Sequence, residues 1–454
     1  MASTDYSLPR PKKHNYRWVI CLLLFFAITI GYLDRQLLSI LKQPLSDELG
    51  WDDSHYGWIT AAFSFAYAFG YLFGGRFMDR FGVKRAMPLI VFLWSFASLA
   101  HGLCAYFDIG ASFSYPWLSW VNGSFMVLTV TMPMTAAGFM LSRVALGITQ
   151  GGVFPGSIKA VAEWFPIKER ALATGLFNAG SNFGAILCLV AIPWLFSKVG
   201  WEMTFYITGA TGFLWIVAWW IFYERPEKQK RLAPAELDYI RRGQPPVEAN
   251  PPRVPWISLL RYRAVWAYII AGILAGPAWG VYQSFMPDFL GKRFGLTLQE
   301  TGNWSAVFFA IAIAGGVVGG WLAGKLLERG WSVNAARKVS LLVCALSVVP
   351  VFLAPFVGSV WLAVLIVGIA GSAHQGWSAN LFSVVGDTMP KETISSVVGL
   401  GGFVSYLAGG FVNGITGEIL KSTGSYVPVF AYISGMYLIS LLAIQILVPR
   451  IEPK

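Results

Sequence analysis

The chain consists mainly of long apolar stretches separated by short polar turns. Twelve of these stretches approach the length of about 20 residues that a helix needs to cross a bilayer core. They lie at 17–38, 55–76, 86–107, 132–154, 171–195, 203–223, 264–287, 302–326, 338–356, 360–385, 395–419 and 427–448. The pattern therefore predicts an all-α integral membrane protein with twelve transmembrane helices.

Composition and charge support this prediction. The chain is 56% hydrophobic and 13% charged, whereas soluble domains carry about 25% charged residues. The net charge of +11 would suit nucleic acid, but most Lys and Arg lie in stretches that a cytoplasmic N-terminus would place inside. This positive-inside bias predicts a multi-pass membrane protein with both termini in the cytoplasm, and no nucleic-acid partner.

The first apolar stretch could be mistaken for a signal peptide, because Lys12, Lys13 and Arg17 precede it. However, Asp34 and Arg35 follow without a small-x-small cleavage site, so we expect a retained helix. The four cysteines all fall in apolar stretches, which indicates packing residues. We expect no disulfide, no metal site and no cofactor.

A polar stretch divides the chain into two halves. We predict a cytoplasmic tail at 1–16, a six-helix bundle at 17–223, a cytoplasmic linker with a short helix at 224–263, a second bundle at 264–448 and a tail at 449–454. Helix 2 ends in Gly74-Gly75-Arg76 and helix 8 in Gly319-Gly320-Trp321, each before a basic turn. This echo indicates a duplicated unit, with a substrate site between the halves near the membrane midplane.

Charged side chains inside predicted membrane helices limit the range of possible functions. Asp34, Arg35 and Arg143 lie there, and insertion of each charge costs about 2.5–3.5 kcal/mol. Two arginines beside one carboxylate favour a cavity that holds a small anion. The alternative is structural, with Asp34 pairing with one arginine while the other reaches a backbone carbonyl.

Two motifs resemble those of the major facilitator superfamily. Gly75-x-x-x-Asp79-Arg80-x-Gly82-x-Lys84-Arg85 resembles its loop between helices 2 and 3, and Arg143-x-x-x-Gly147-x-x-x-Gly151 resembles its helix 4 motif. The resemblance implies two pseudo-symmetric six-helix bundles, a monomer, and a conformational latch formed by Asp79 and Arg80 against the start of helix 11. Further segments resemble the anion:cation symporter branch, most of all bacterial hexuronate transporters: Glu163-Trp-Phe-Pro-Ile-Lys-Glu-Arg170, Gly175-Leu-Phe-Asn-Ala-Gly180, Ile221-Phe-Tyr, Asp238-Tyr-Ile, Pro277-Ala-Trp-Gly280 and Ala373-His-Gln375.

The branch resemblance also implies roles for single residues. Arg35 and Arg143 match arginines that bind the substrate carboxylate, and their planar donor forks suit that task. Tyr32 and Tyr67 match tyrosines that help to bind substrate. Asp34 matches a proton-coupling carboxylate, whereas Gln150 stands where the branch usually has a coupling Glu. Gln cannot titrate, so coupling either runs through Asp34 alone or is weakened.

Polar and aromatic side chains on interrupted helices are candidates for binding sugar hydroxyls, with an interhelical hydrogen bond as the alternative for each. They are Asn178, Ser181, Asn182, Trp279, Tyr282, Gln283, His374, Gln375, Trp377 and Ser378. We expect Trp279 and Trp377 to stack on the sugar.

The sequence thus predicts a proton-coupled importer of a sugar-acid anion, such as glucuronate or galacturonate, that works by alternating access and is not an enzyme. One alternative is a carrier of another organic anion, such as galactonate, a dicarboxylate or sialic acid. A second is an organophosphate:phosphate exchanger. A membrane enzyme or receptor is the alternative from another class, but no nucleophile–base pair or metal cluster supports it.

Overall fold

The computed structural model describes residues 15–106, 111–121, 124–241, 256–389 and 393–451. The predicted tails at 1–16 and 449–454 and the predicted linker at 224–263 therefore lie partly outside the described residues. Helices account for nearly all of the described chain, which confirms the predicted fold class.

The structure places the elements in the following order. The first half contains α1 (Tyr16–Ile40), α2 (Lys42–Leu49), α3 (Asp53–Phe81), α4 (Val83–Leu103), β1 (Ser112–Val121), β2 (Ser124–Pro133), α5 (Met134–Gln150), α6 (Val153–Trp164) and α7 (Ile167–Phe222). The second half contains α8 (Pro234–Arg241), α9 (Trp256–Leu259), α10 (Arg263–Ala275), α11 (Pro277–Phe294), α12 (Leu298–Glu328), α13 (Val333–Val348), α14 (Val360–Thr388), α15 (Ile394–Thr423) and α16 (Val427–Leu447).

Nine helical segments of the described chain are long and apolar enough to cross a membrane. One of them, Leu172–Phe222, has 51 residues and turns at Gly200, where φ is +76°. Glycine adopts this left-handed conformation without steric cost, so α7 supplies two passes. The 29-residue α3 and the pair α5–α6 supply two more, which completes the twelve predicted passes.

Two of the passes are interrupted by small residues and proline. The helix-4 pass breaks between α5 and α6 at Gly151 and Gly152. The helix-7 pass breaks between α10 and α11 at Gly276, and Pro277 opens α11. Proline is well suited to the first position of a helix because it has no N–H to leave unpaired there. Both breaks lie close to the space between the bundles.

A β-hairpin before α5 was not predicted. Strands β1 and β2 pair antiparallel from Ser112 opposite Pro133, so the helix predicted to begin at residue 132 begins at Met134 instead. Alternating Ser and aromatic residues in β1, and Val and Thr in β2, favour extended backbone. The hairpin is the β-structure that accompanies an otherwise helical fold in the described chain.

The passes form two bundles that meet along α3 and α15, α7 and α12, and α1 and α11. Small residues permit close approaches along these contacts. A Cβ atom on Gly57 of α3 would lie 2.8 Å from the Cα atom of Gly417 on α15. Small side chains at such crossings let membrane helices approach each other closely.

The end of the molecule where the described chain begins and ends is called the terminal face. There the buried Glu236 of α8 accepts hydrogen bonds from the backbone N–H of Tyr16 and, at 2.9 Å, from the Arg17 guanidinium. The predicted short linker helix is therefore docked against the start of α1. The opposite end, which carries Lys42 and Lys292, is called the distal face.

Candidate substrate-binding site between the bundles

A cavity of about 410 Å³ lies between the two bundles. Its walls come mainly from α1, α3, α5 and α7 on one side and from α10, α11, α14 and α15 on the other. A cavity of this size suits one small ligand. The predicted site residues that line it are Tyr32, Arg35, Tyr67, Arg143, Gln150, Asn178, Trp279, Gln283, His374, Gln375, Trp377 and Ser378.

Arg35 sits in a cage of aromatic rings on the first-bundle wall. Tyr32 and Arg35 are three residues apart on α1 and therefore share one helix face. The guanidinium carbon of Arg35 lies 4.6 Å from the ring centroids of Tyr32 and Tyr67 and 4.9 Å from that of Phe63. Aromatic faces attract a cation without neutralising it, so the guanidinium keeps its full charge toward the cavity.

Arg143 of α5 brings a second guanidinium to the same wall. Its side chain is buried, and Nη1 donates to the backbone oxygen of Arg35 at 3.4 Å. Its Nε and Nη2 atoms have no hydrogen-bond partner among the described residues. Buried donors without partners are costly, so these two atoms are prepared to bind an acceptor that enters the cavity.

Neither of these arginines forms an ion pair with a neighbouring carboxylate. Neither guanidinium has a carboxylate oxygen within 4 Å among the described residues, whereas Arg17 and Arg337 elsewhere are paired. The structural alternative required Asp34 to pair with one arginine. Only its second half is observed, namely the contact of Arg143 with a backbone carbonyl.

Asp34 points away from the cavity. Its Oδ1 atom accepts a hydrogen bond of 2.9 Å from the Ser98 hydroxyl of α4, and Oδ2 has no partner among the described residues. Adjacent residues on a helix point about 100° apart, so Asp34 and Arg35 cannot share one face. Because Asp34 forms no ion pair with either arginine here, its protonation releases no bound arginine in this conformation.

Gln150 lies at the cavity, two helical turns from Arg143 on α5. Its Nε2 atom donates to the backbone oxygen of Gly31 at 3.2 Å, and its Oε1 atom has no partner among the described residues. The amide thus ties α5 to α1 one turn before Arg35. It performs this packing role without a charge.

The second-bundle wall is neutral and aromatic. Trp279 of α11 and His374 of α14 stack in parallel, with centroids 5.4 Å apart and 7° between the rings. Because His374 covers one face of Trp279, a sugar could stack only on the other. Trp377 also lines the cavity, and its ring meets Tyr437 edge-on at 5.4 Å.

Three predicted hydroxyl-binding residues lie outside the main cavity. Ser181 and Asn182 line a side cavity of about 120 Å³ that shares Asn178 and Trp279 with the main one. Ser181 donates to the backbone oxygen of Asn178 at 2.7 Å. Tyr282 is 1% exposed and packs against Phe308 inside the second bundle, so its predicted position on the cavity wall is wrong.

The structure adds cavity residues that sequence reasoning did not select. Tyr406 of α15 lies 4.5 Å, centroid to centroid, from Tyr67 and extends the aromatic cage around Arg35 from the second bundle. Tyr71, Tyr268 and Tyr56 also line the cavity. Aromatic residues are common throughout the apolar stretches, and no spacing separates these tyrosines from aromatics that face lipid.

Charged residues join the bundles at the distal face. Lys42 is buried and lies 2.6 Å from Asp53 of the first bundle and 2.7 Å from Asp288 of the second. Lys292 contacts the same two carboxylates at 2.8 and 3.3 Å. We call these four residues the distal charge network. Tyr56 adds a 2.5 Å hydrogen bond to the Ser284 carbonyl.

A further ion pair supports this closure beside the network. Lys421 of α15 lies 2.8 Å from Asp52, the capping residue of α3. Burial works to raise the pKa of Asp52, but hydrogen bonds from Lys421 and from the His55 backbone outweigh it and hold the pKa below its usual range. The pair therefore stays charged at neutral pH, and the distal face is closed by contacts across the bundle boundary.

We expect Asp288→Asn to open the distal face. It leaves the buried Lys42 with one carboxylate, and removal of one partner from a buried pair costs about 3–5 kcal/mol, enough to shift a conformational equilibrium. Ser39 lines the cavity behind the network. A cysteine at Ser39 should react faster with an impermeant thiol reagent in the Asp288→Asn background.

Two controls frame that measurement. The four native cysteines are all buried, and a cysteine at the exposed Gln43 should react equally in both backgrounds. Equal reaction rates at Ser39→Cys with and without Asp288→Asn would show that the network does not hold this face closed.

The predicted latch residues lie near the terminal face. Lys159 of α6 approaches Asp79 to 2.7 Å and also donates to the Met78 carbonyl, while Arg80 is exposed. Asp79 itself remains 73% exposed. The ion pair between Asp79 and Lys159 thus lies within the first bundle in this conformation. The latch against predicted helix 11, which is α15 in the structure, stays a prediction.

Comparisons with known proteins agree with this geometry. The sequence profile described as Major Facilitator Superfamily matches residues 24–413. The hexuronate transporter of Escherichia coli K12 is 28% identical over 437 residues, covering 95% of this chain and 94% of that protein. A probable galactarate/D-glucarate transporter of Bacillus subtilis is 29% identical and covers 98% of this chain and 94% of that protein.

The fold is also similar to solved structures. A D-xylose–proton symporter superposes with a TM-score of 0.72 at 14% identity, covering 97% of this chain and 98% of that one. Identity this low supports the fold alone. The profile match and the nearly full-length relatives confirm the resemblance to the major facilitator superfamily that the loop motif at 75–85 and the helix-4 motif at 143–151 indicated.

Proposed function

Because the chain belongs to the major facilitator superfamily of membrane transporters, we propose that it imports a hexuronate anion, such as glucuronate or galacturonate, together with protons. The names of its relatives, a hexuronate transporter and a probable galactarate/D-glucarate transporter, support a sugar acid as substrate. In this proposal the protein is a monomer in the bacterial inner membrane, and the substrate and protons are its only partners besides lipid.

The observation that carries the proposal is the unequal charge of the two cavity walls. Both cavity cations, Arg35 and Arg143, belong to the first bundle. The described lining residues of the second bundle include no Lys or Arg and offer amides, hydroxyls and aromatic rings. A ligand with one carboxylate and a polyhydroxylated body matches this arrangement. The carboxylate binds the guanidinium donors, and the hydroxyls face groups such as Gln283 and Gln375.

The same arrangement disfavours a linear sugar diacid. Its second carboxylate would face the wall that carries no Lys or Arg, where a buried charge without a permanent cationic partner is costly. A phosphate monoester would also bring more negative charge than the site balances. The monocarboxylates glucuronate, galacturonate and galactonate therefore fit the cavity better than galactarate or glycerol phosphate.

Alternating access follows from the position of the cavity between two bundles. In the proposal the terminal face is cytoplasmic, as the positive-inside bias predicts, so the distal charge network is the outer gate and is shut here. Release of substrate then occurs on the cytoplasmic side. Asp79 and Arg80 would latch the cytoplasmic side in the opposite conformation.

Proton coupling in this proposal includes Asp34 acting through its charge. Two arginines and an ionised Asp34 leave one net positive charge beside the cavity, which a monoanion cancels. Protonation of Asp34 restores the positive charge and so favours anion binding. Because the two binding events influence each other's free energy, the effect is reciprocal.

The experiment is a ligand panel on purified protein, followed by counterflow in proteoliposomes. A ligand at one hundred times its Kd stabilises the folded state by about 2.7 kcal/mol, which raises Tm measurably. We expect glucuronate or galacturonate to raise Tm and to exchange in counterflow, whereas a neutral hexose does neither. A larger response to galactonate, galactarate or glycerol phosphate than to both uronates would contradict the proposed substrate.

A further inference from the structure

His374 is the titratable group of the cavity whose ordinary pKa lies near neutral pH. The described lining residues include no Asp or Glu, and free Tyr and Arg titrate far above pH 7. Gln150 occupies the position of the branch's coupling carboxylate and cannot titrate. Asp34 lies behind the wall, hydrogen-bonded to Ser98. A proton bound inside the cavity therefore has one obvious acceptor.

The surroundings of His374 accommodate both of its protonation states. Nδ1 lies 2.5 Å from the Tyr437 hydroxyl of α16, and Nε2 lies 3.5 Å from the Ser378 hydroxyl on its own helix. A tyrosine hydroxyl can donate to a neutral imidazole nitrogen or accept from a protonated one. From α11, the face of Trp279 lies parallel to the ring, and such a face attracts a cation.

Charges on the facing elements decide when the proton binds. No carboxylate lies within 4 Å of His374 among the described residues. The charged groups of the opposite wall are Arg35 of α1 and Arg143 of α5. In the empty cavity these cations and the enclosed site oppose a protonated imidazole. A bound carboxylate cancels the excess positive charge and so removes the repulsion between the cations and a protonated imidazole.

We propose that His374 takes up the proton that accompanies the substrate anion, an inference that rests on the proposed function. A proton from water on the outer side forms an N–H bond at the imidazole while the anion is bound, and the imidazole returns the proton to water on the cytoplasmic side. Binding of anion and proton is mutually favourable, and the coupling is reciprocal. His374 thereby supplies within the cavity the titration that Gln150 lacks.

The first test is the number of protons taken up per hexuronate transported, measured in lightly buffered proteoliposomes. With one proton per monoanion, a gradient of one pH unit supports about tenfold accumulation. In His374→Gln we expect the ratio of protons to substrate to fall by one, whatever rate of transport remains. An unchanged ratio would overturn the proposal, as would a loss of the same proton in Asp34→Asn but not in His374→Gln.

If His374→Gln transports too slowly for that ratio, Tyr437→Phe decides. This change deletes the hydrogen bond between the Tyr437 hydroxyl and His374. The loss destabilises the protonated imidazole more than the neutral one, because hydrogen bonds to charged groups are stronger. The pH at which uptake is half-maximal should therefore move down by about one unit, because proton affinity falls. Tyr432→Phe is the matched control, since its hydroxyl contacts the Leu274 carbonyl. Equal midpoints in both variants and the wild type would refute the role of His374.

These outcomes are distinct from failure of the proposed function. If the wild-type protein gives no hexuronate counterflow at any pH, the substrate assignment is wrong. If counterflow is present but neither His374→Gln changes the proton ratio nor Tyr437→Phe changes the pH midpoint, the substrate assignment stands and the proton site is wrong.

Discussion

Uptake of hexuronate should fall by about 100-fold or more when Arg143 is replaced with alanine. Nε and Nη2 of Arg143 are buried on the cavity wall and have no hydrogen-bond partner among the described residues. Each hydrogen bond that they make to a carboxylate is worth about 1.5–3 kcal/mol. Loss of two such bonds costs about 3–6 kcal/mol, and each 1.4 kcal/mol is tenfold in affinity.

The same substitution should not unfold the protein. In the described chain Arg143 gives up one long hydrogen bond, of 3.4 Å to the Arg35 carbonyl. Alanine also removes a buried charge that forms no ion pair, and burial of such a charge opposes folding. We therefore expect the Tm of the ligand-free variant to equal or exceed that of the wild type, while the rise in Tm with added uronate disappears.

Two variants sharpen the measurement. Arg143→Lys keeps the charge but loses the planar guanidinium, which binds a carboxylate through two parallel hydrogen bonds. Its affinity for uronate should therefore lie between those of Arg143→Ala and the wild type. Lys325→Ala removes an exposed cation that pairs with Glu328 away from the cavity and should transport normally. Near-normal uptake by Arg143→Ala, with protein present in the membrane at wild-type amounts, would refute the anion site.

The charged part of the site could be predicted from sequence for a physical reason. A guanidinium in a membrane helix is so costly that it marks function almost by itself, and helical spacing then brings Tyr32 to the same face as Arg35. Glycine and proline likewise mark interruptions. The break at Gly276 and Pro277 coincides with the predicted hydroxyl-binding segment of helix 7.

Side-chain direction was harder to predict because the helices are apolar on every side. Tyr282 and Gln283 are neighbours on α11, yet Gln283 faces the cavity and Tyr282 faces the bundle interior. In an amphipathic helix, a polar stripe in the sequence shows which side chains point away from the core. A fully buried helix has no such stripe, so its sequence does not show which way each side chain points. Asp34 was assigned to the cavity for the same reason and faces Ser98 instead.

The distal charge network was beyond sequence reasoning for another reason. In the sequence, Lys42 and Lys292 lie at the polar ends of apolar stretches, where cations are usually solvated. Their carboxylate partners, Asp53 and Asp288, are far apart in the sequence, and the fold brings the four residues together across the boundary between the bundles. No local sequence pattern marks a contact that only the packing of the two bundles creates.

Replacing Gln150 with glutamate should add a proton to the transport cycle. Nε2 of Gln150 donates to the Gly31 carbonyl at 3.2 Å. A protonated Glu can make the same hydrogen bond, whereas an ionised Glu has no proton to donate and repels the carbonyl oxygen. An ionised Glu also lines the cavity with a negative charge and competes with substrate for Arg35 and Arg143. Anion binding therefore favours its protonated form.

The sign of the pH effect follows from this competition. As pH falls, the introduced carboxylate of Gln150→Glu becomes neutral and substrate affinity rises, by up to about tenfold per pH unit while the group titrates. One additional proton per anion raises accumulation under a one-unit pH gradient by up to about tenfold, and transport then moves net charge. We expect both effects in proteoliposomes with pH and voltage set independently.

Gln150→Met is the matched control, because methionine is similar in length, makes no hydrogen bond to Gly31 and cannot titrate. It should lower transport without changing the response to pH or voltage. If Gln150→Glu accumulates substrate to the same level as the wild type at every pH gradient, this position does not couple protons to transport. Since the glutamine amide already holds α5 against α1 by a neutral contact, the gain from glutamate comes from titration alone.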